Sequence, residues 1–127
     1  MQRSIVESDK APQPVGPYSQ AIKANGLLYL SGQIPLDPQT GELVTESFDL
    51  QVRTVLNTLT AVLQAGGSGL DRVVKVTIFL TDMNRFQEMN AIYAEYFGRS
   101  QPARACVEVR RLPRDAPIEI EAVALAD

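Results

Sequence analysis

The sequence predicts an α+β fold in which one mixed sheet of five to six strands carries two helices on a single face, a two-layer sandwich. Three observations lead there. Apolar residues recur at every second position in several short segments and near every 3.6 residues in two longer ones. Each longer segment has one apolar stripe, which a single sheet face can bury. The 127 residues contain no repeat, low-complexity tract or linker, so residues 1–127 form one domain.

The elements follow in order. A short additional strand is expected near Ser4–Glu7. Ala11–Pro17 is dense in Pro and Gly, which excludes helix and central strand and leaves an ordered loop. Tyr18–Ala24 and Leu27–Ile34 then flank Asn25-Gly26, a hairpin signal because both turn residues tolerate φ > 0. Pro35 ends the second strand, and Asp37–Gly41 makes a polar turn. From Thr45 to Ala65 the period becomes helical. Phe48, Val52, Val55, Leu59, Val62 and Leu63 share one stripe, Thr45 or Ser47 caps the start, and Gly66-Gly67 stops the helix.

Arg72–Leu80 is β-branched and reads as a buried strand. Asp82 caps a second helix, Met83–Phe97, with Phe86, Met89, Tyr93 and Phe97 as its stripe and Gly98 as its stop. Strands Ala103–Val109 and Ile118–Leu125 close the chain around a proline-containing loop. Both helices occupy one sheet face, so the other needs cover, and a bare apolar face is a candidate oligomer interface.

Composition removes whole classes of chemistry. There is no His, no Trp and one Cys, with twelve Lys+Arg against fifteen Asp+Glu and net charge −3. Histidine acid–base catalysis, a Cys-His pair, a His-containing metal site and an internal disulfide are all excluded. The acidic balance argues against a nucleic-acid backbone partner. No apolar run approaches the ~18 residues of a membrane span. Met1–Lys10 is too charged for a signal peptide, so a cytoplasmic setting is expected.

Several residues can carry chemistry. Arg104, inside a predicted strand, either leans to solvent or clamps a carboxylate or phosphate with its planar fork. Glu119 and Glu121 alternate with Ile118 and Ile120, so both carboxylates share one face, as an acid–base pair or as a solvated surface. Cys106 is a small buried residue or a thiol with no His to activate it. Tyr18 packs or reaches a ligand; Asn90 is a satisfied amide or a site residue. Ser31-Gly32 marks a bulge or lets a ligand approach the backbone closely. Gly66–Gly69 follows a helix and precedes a strand, the wrong order for a phosphate loop.

Four stretches go further: Gly16-Pro17-Tyr18-Ser19-Gln20, Ser31-Gly32-Gln33-Ile34-Pro35, Asn90-Ala91-Ile92-Tyr93, and the run Pro102–Val109 continued by Leu112-Pro113 and Ile118-Glu119-Ile120-Glu121. In that order the chain resembles the RidA (YjgF) family of reactive imine/enamine deaminases along nearly its whole length. The resemblance implies a chorismate-mutase-like α+β sandwich and homotrimers with three clefts between subunits. It implies hydrolysis of 2-imino acids, such as 2-iminobutanoate and 2-iminopropanoate leaked by pyridoxal-phosphate enzymes, to 2-keto acids and ammonia, without cofactor or metal.

By the same resemblance Arg104 clamps the substrate carboxylate and Glu119 places and activates water. The backbone at Cys106 positions the imine, and Tyr18, Ser31, Gly32 and Asn90 line the cleft. The expected partners are therefore small 2-imino carboxylic acids and further copies of the chain, with no nucleic acid or membrane. The isoleucines beside Glu119 favour its neutral form, while a nearby Arg104 would favour the ionised one. Two other activities have been suggested for relatives: a regulatory or chaperone-like module that binds small molecules without turnover, and a single-strand ribonuclease.

Overall fold

Asn25 and Gly26 adopt φ of 54° and 78°, the left-handed pair that a two-residue hairpin needs to match strand twist. Around this turn β2 (Ala21–Ala24) pairs antiparallel with β3 (Leu27–Gln33), and β1 (Arg3–Val6) adds to the outside of β2. In the computed structural model, which describes residues 2–127, there follow α1 (Phe48–Ala65), β4 (Val73–Leu80), α2 (Phe86–Phe97), β5 (Ala103–Glu108) and β6 (Ile118–Leu125). Short 3₁₀ turns lead into β4, α2 and β6.

The sheet order is β1-β2-β3-β6-β4-β5. Strands β4 and β5 run parallel because helix α2 carries the chain back between them; every other pairing is antiparallel. The last strand inserts between β3 and β4, which explains why Ile118 and Ile120 are wholly buried. Leu28, Leu30, Val76, Ile78, Ala122 and Ala124 join them on the helix side, against Val52, Leu56, Leu59 and Leu63 of α1 and Met89, Ile92 and Phe97 of α2. Arg53 bridges Asp49 and Glu95, tying the helices together outside this core and holding the Glu95 carboxyl below its usual range.

The opposite face carries Tyr29, Val123, Lys75, Thr77, Glu121, Phe79, Glu119 and Val107 in register across four strands. No helix covers it, and Tyr29 and Val107 are 47% and 42% exposed.

Three boundaries differ from expectation. Tyr18–Gln20 is not strand: Gln20 turns its amide into the preceding loop, where Ser8 N–H donates to Oε1 at 2.6 Å and Nε2 donates to the carbonyls of Ser8 and Pro12 at 3.1 and 2.9 Å. Those bonds replace the ladder. Helix α1 starts at Phe48, because the Ser47 hydroxyl, not Thr45, accepts from Leu50 N–H at 3.0 Å. Asp82 caps the 3₁₀ turn Met83–Arg85, and α2 begins one turn later at Phe86.

Candidate functional site: two clefts on opposite faces of the sheet

The first cleft, about 360 Å³, lies where loop 12–18, strand β3 and the approach to β6 converge. From Leu30↔Ala122 to Gln33↔Ile120, β3 spends three residues against two on β6. The extra residue is a β-bulge at Ser31-Gly32. The bulge reading of that pair holds, and the group lying on the glycine backbone is a side chain of the chain itself. A Cβ at residue 32 would stand 2.7 Å from Cδ of Glu119 and overlap its carboxyl. The bulge and the absent side chain together make the seat for Glu119.

Ser31 binds the seat to the loop, its hydroxyl donating to the Ser19 carbonyl at 2.6 Å and its N–H to Gln20 at 2.9 Å. Tyr18, 53% exposed, stands at the mouth with its ring beside Gly16. Ile34, Leu36 and Pro113 form apolar wall, and Arg114 lies on the rim. Glu119 is half-buried, and its pKa is raised, first by loss of hydration and then by Glu121 on the same strand face.

The second cleft, about 310 Å³, opens between α2 and the edge strand β5. Register settles which way its arginine points. Arg104 pairs with Val76 and Cys106 with Ile78, both inward-facing, so both residues lie on the helix side. Arg104 Nη1 donates to Asn90 Oδ1 at 2.6 Å. Its Cζ stands 4.7 Å from the Tyr93 ring centroid and 5.6 Å from that of Phe86. The guanidinium is thus held by one amide and two aromatic rings, with no carboxylate within 4 Å among the described residues.

Beneath it the Tyr93 hydroxyl is buried without a hydrogen-bond partner, and burial raises its pKa although Arg104 pulls the other way. Burial likewise raises the Cys106 thiol, outweighing Arg104, so the thiol stays protonated and is a poor nucleophile. Asn90 thus lies on the wall of this cleft with its amide oxygen satisfied by Arg104.

Tyr18, Ser31, Gly32 and Glu119 are therefore brought together, and so are Asn90, Arg104 and Cys106, but one chain does not join the two sets. Glu119 pairs with Phe79, which pairs with Val107, three residues beyond Arg104. Two strand spacings and three residue rises separate the two backbones by ~14 Å, with side chains on opposite faces. The expected pull of a nearby Arg104 on Glu119 is absent within the chain: burial and Glu121 prevail.

Sequence reasoning missed three supports. Phe86 and Tyr93 read as core stripe, since only the β4–α2–β5 crossover places them under Arg104. Gln20 read as strand; its signal was a polar residue beside a proline-rich loop. Glu108, which the sequence reading left without a role, faces the helix side and accepts from Met83 N–H at 2.8 Å, helping to open the turn before α2. Among the described residues no three His, Cys, Asp or Glu side chains gather as a metal site.

A single mixed sheet with two helices on one face, a clamped arginine at its edge and a carboxylate seated on a bulge defines a class of small α+β domain. Within that class the chain belongs to the RidA/YjgF family: a family model described as endoribonuclease L-PSP matches residues 8–126. A RutC family protein of Pyrococcus horikoshii is 54% identical over 96% of this chain and 97% of its own length. One from Synechocystis is 52% identical over 98% of each. Among solved structures, YyfA of Yersinia pestis, titled as a member of the conserved Rid protein family, is 48% identical with a TM-score of 0.95, covering 98% of this chain and 99% of that one. Escherichia coli TdcF with bound serine is 38% identical with a TM-score of 0.92 over the same shares.

Proposed function

We propose that this chain is a cofactor-free hydrolytic deaminase of small 2-imino acids, such as 2-iminobutanoate and 2-iminopropanoate, acting in the cytoplasm as a homotrimer with its sites between copies. One observation carries the reading. Arg104 is pre-oriented by Asn90, Tyr93 and Phe86 yet has no carboxylate from its own chain, while Glu119 waits in a separate cleft on the other face. Apposition of one copy's β5 edge, where Arg104 reaches the rim, on the uncovered face of another copy joins one copy's arginine to another's glutamate. The relative solved with bound serine supports recognition of a small amino-acid-like carboxylate.

The chemistry follows from the residues. Arg104 takes the substrate carboxylate in a charge-assisted pair worth about 1.5–3 kcal/mol. Glu119, whose pKa burial and Glu121 raise, hydrogen-bonds the imine nitrogen and the attacking water. Water oxygen bonds to C2, the C–N bond breaks, and nitrogen leaves as ammonia with the protons passed through Glu119, giving the 2-keto acid. Tyr18 and the Cys106 backbone confine the substrate. Free imines hydrolyse readily in water, so each tenfold gain asks for only about 1.4 kcal/mol.

A coupled assay with threonine dehydratase tests this. Wild-type protein should speed 2-ketobutyrate release and Arg104→Ala should abolish the gain. Unchanged release with wild-type protein overturns the deaminase. Carboxylate binding without acceleration would instead mark a regulatory or chaperone-like module. Cleavage of RNA by the pure protein, lost in Arg104→Ala, would revive the activity in the family model's description, which net charge −3 and the Glu119–Glu121 pair on the open sheet face disfavour.

A further inference from the structure

We propose that Arg114 makes the first cleft selective for 2-imino acids whose side chain ends in a second carboxylate; this rests on the deaminase reading above. The first observation is conformational. Arg114 and Asp115 sit at φ of 61° and 56°, two successive non-glycine residues in the left-handed region, a backbone that persists only where its surroundings enforce it. Here they do. Arg111 donates through Nε and Nη2 to Asp115 Oδ1 at 3.0 and 2.8 Å, and Asp115 N–H donates to the Leu112 carbonyl at 3.1 Å.

The strained turn carries the Arg114 side chain across the rim, where Nη1 donates to the Gly41 carbonyl at 3.1 Å. That bond uses one of its five N–H groups. No carboxylate lies within 4 Å of Arg114 among the described residues, whereas Arg53, Arg72 and Arg111 all have one. Nor is Arg114 the counter-ion of Glu119, whose state is governed by burial and Glu121. A cation is thus held at the mouth of the cleft with nothing in the chain to neutralise it.

Ile34, Leu36 and Pro113 give the same cleft apolar wall. A half-buried carboxyl, aliphatic wall and a guanidinium without a carboxylate partner, all lining one cleft, match a reacting imine, a methylene spacer and a terminal carboxylate. The α-carboxylate is already assigned to Arg104 of another copy. A second cation is also what a dianion needs on a face that presents Glu119 and Glu121.

The test compares imines made in situ by oxidases from aspartate and glutamate with 2-iminobutanoate, on the full-length protein. The readout is the ratio of kcat/KM for dicarboxylic over monocarboxylic imine, which does not depend on how much protein is folded. Arg114→Gln keeps a donor for Gly41 and should lower that ratio at least roughly tenfold; Arg114→Lys should keep most of it. An unchanged ratio in Arg114→Gln overturns the proposal, as does a wild-type protein that hydrolyses 2-iminobutanoate but not the dicarboxylic imines. Acceleration of none of them overturns the deaminase itself. Calorimetry with 2-oxoglutarate and 2-oxobutanoate then decides the acidic subsite separately: equal binding by wild-type protein, or a preference that Arg114→Gln leaves intact, sinks it.

Discussion

At position 32 one hydrogen atom in place of a methyl group decides where Glu119 sits, since the carboxyl occupies the volume a Cβ would need. The colliding atoms are the mobile end of a glutamate, so Gly32→Ala should leave the fold standing and push the carboxyl off its seat. The expected result is a loss of deaminase turnover of ~10² or more, with circular dichroism and melting close to wild type; a large drop in Tm with turnover intact would be the wrong outcome. The protonation of Glu119 has a thermodynamic consequence as well. Its pKa is raised on folding, so the native state holds the proton more tightly than the unfolded chain does. The contribution of Glu119 is therefore fully present below the range of an ordinary glutamate and is lost as pH rises through its own higher pKa. Glu119→Gln should gain stability relative to wild type across that window and level off above it, as denaturant melts from pH 4 to 8 would show.

The elements supply precision that single residues lack. Strand β3 carries the bulge, β6 carries Glu119, and the loop between β1 and β2 carries Tyr18; Gln20 keeps the third in step with the first two. Gln20→Leu fills similar space but orphans the Ser8 N–H and carbonyls at Ser8 and Pro12. It should cost at least about 2 kcal/mol in chemical denaturation and raise hydrogen exchange in loop 8–19 before the helices are affected. Protection of that loop equal to wild type would refute the role. Strand β5 shows the converse. As the edge strand it lets Arg104 reach the rim while its aliphatic stem stays on the helix side, which is the solvent-leaning arrangement and leaves the guanidinium at the mouth of the second cleft.

For the whole molecule the decisive fact is that the two half-sites face away from each other. If the working site forms between copies, Arg104→Ala and Glu119→Gln proteins are each inactive alone, but mixing and reassembling them should restore about a quarter of the wild-type sites, those that receive both intact residues. No recovery, despite exchange verified by mass, would place both residues in the service of a single chain. Sedimentation should report a trimer. A charge on the open face, such as Val107→Glu, should shift it toward monomer, because Val107 is an exposed apolar residue beside Phe79 on the face that no helix covers.

Much of this was readable before any coordinates. Alternation, helical period and the Asn25-Gly26 turn specify strands and helices because they are local properties: side-chain direction repeats every two or 3.6 residues wherever the chain goes. The shared face of Glu119 and Glu121 is local in the same sense. Strand order is not local, and it decided the rest. Inserting β6 between β3 and β4 brought Glu119 over Gly32, 87 positions away in the chain. The parallel return of β5 set Arg104 on Tyr93 and Asn90 and turned it from Glu119. By itself the sequence determined which groups are available — an arginine, a glutamate and no histidine — because that is a matter of inventory. Only the tertiary structure decided which of them meet, because register and sheet order depend on how the entire apolar surface is buried at once.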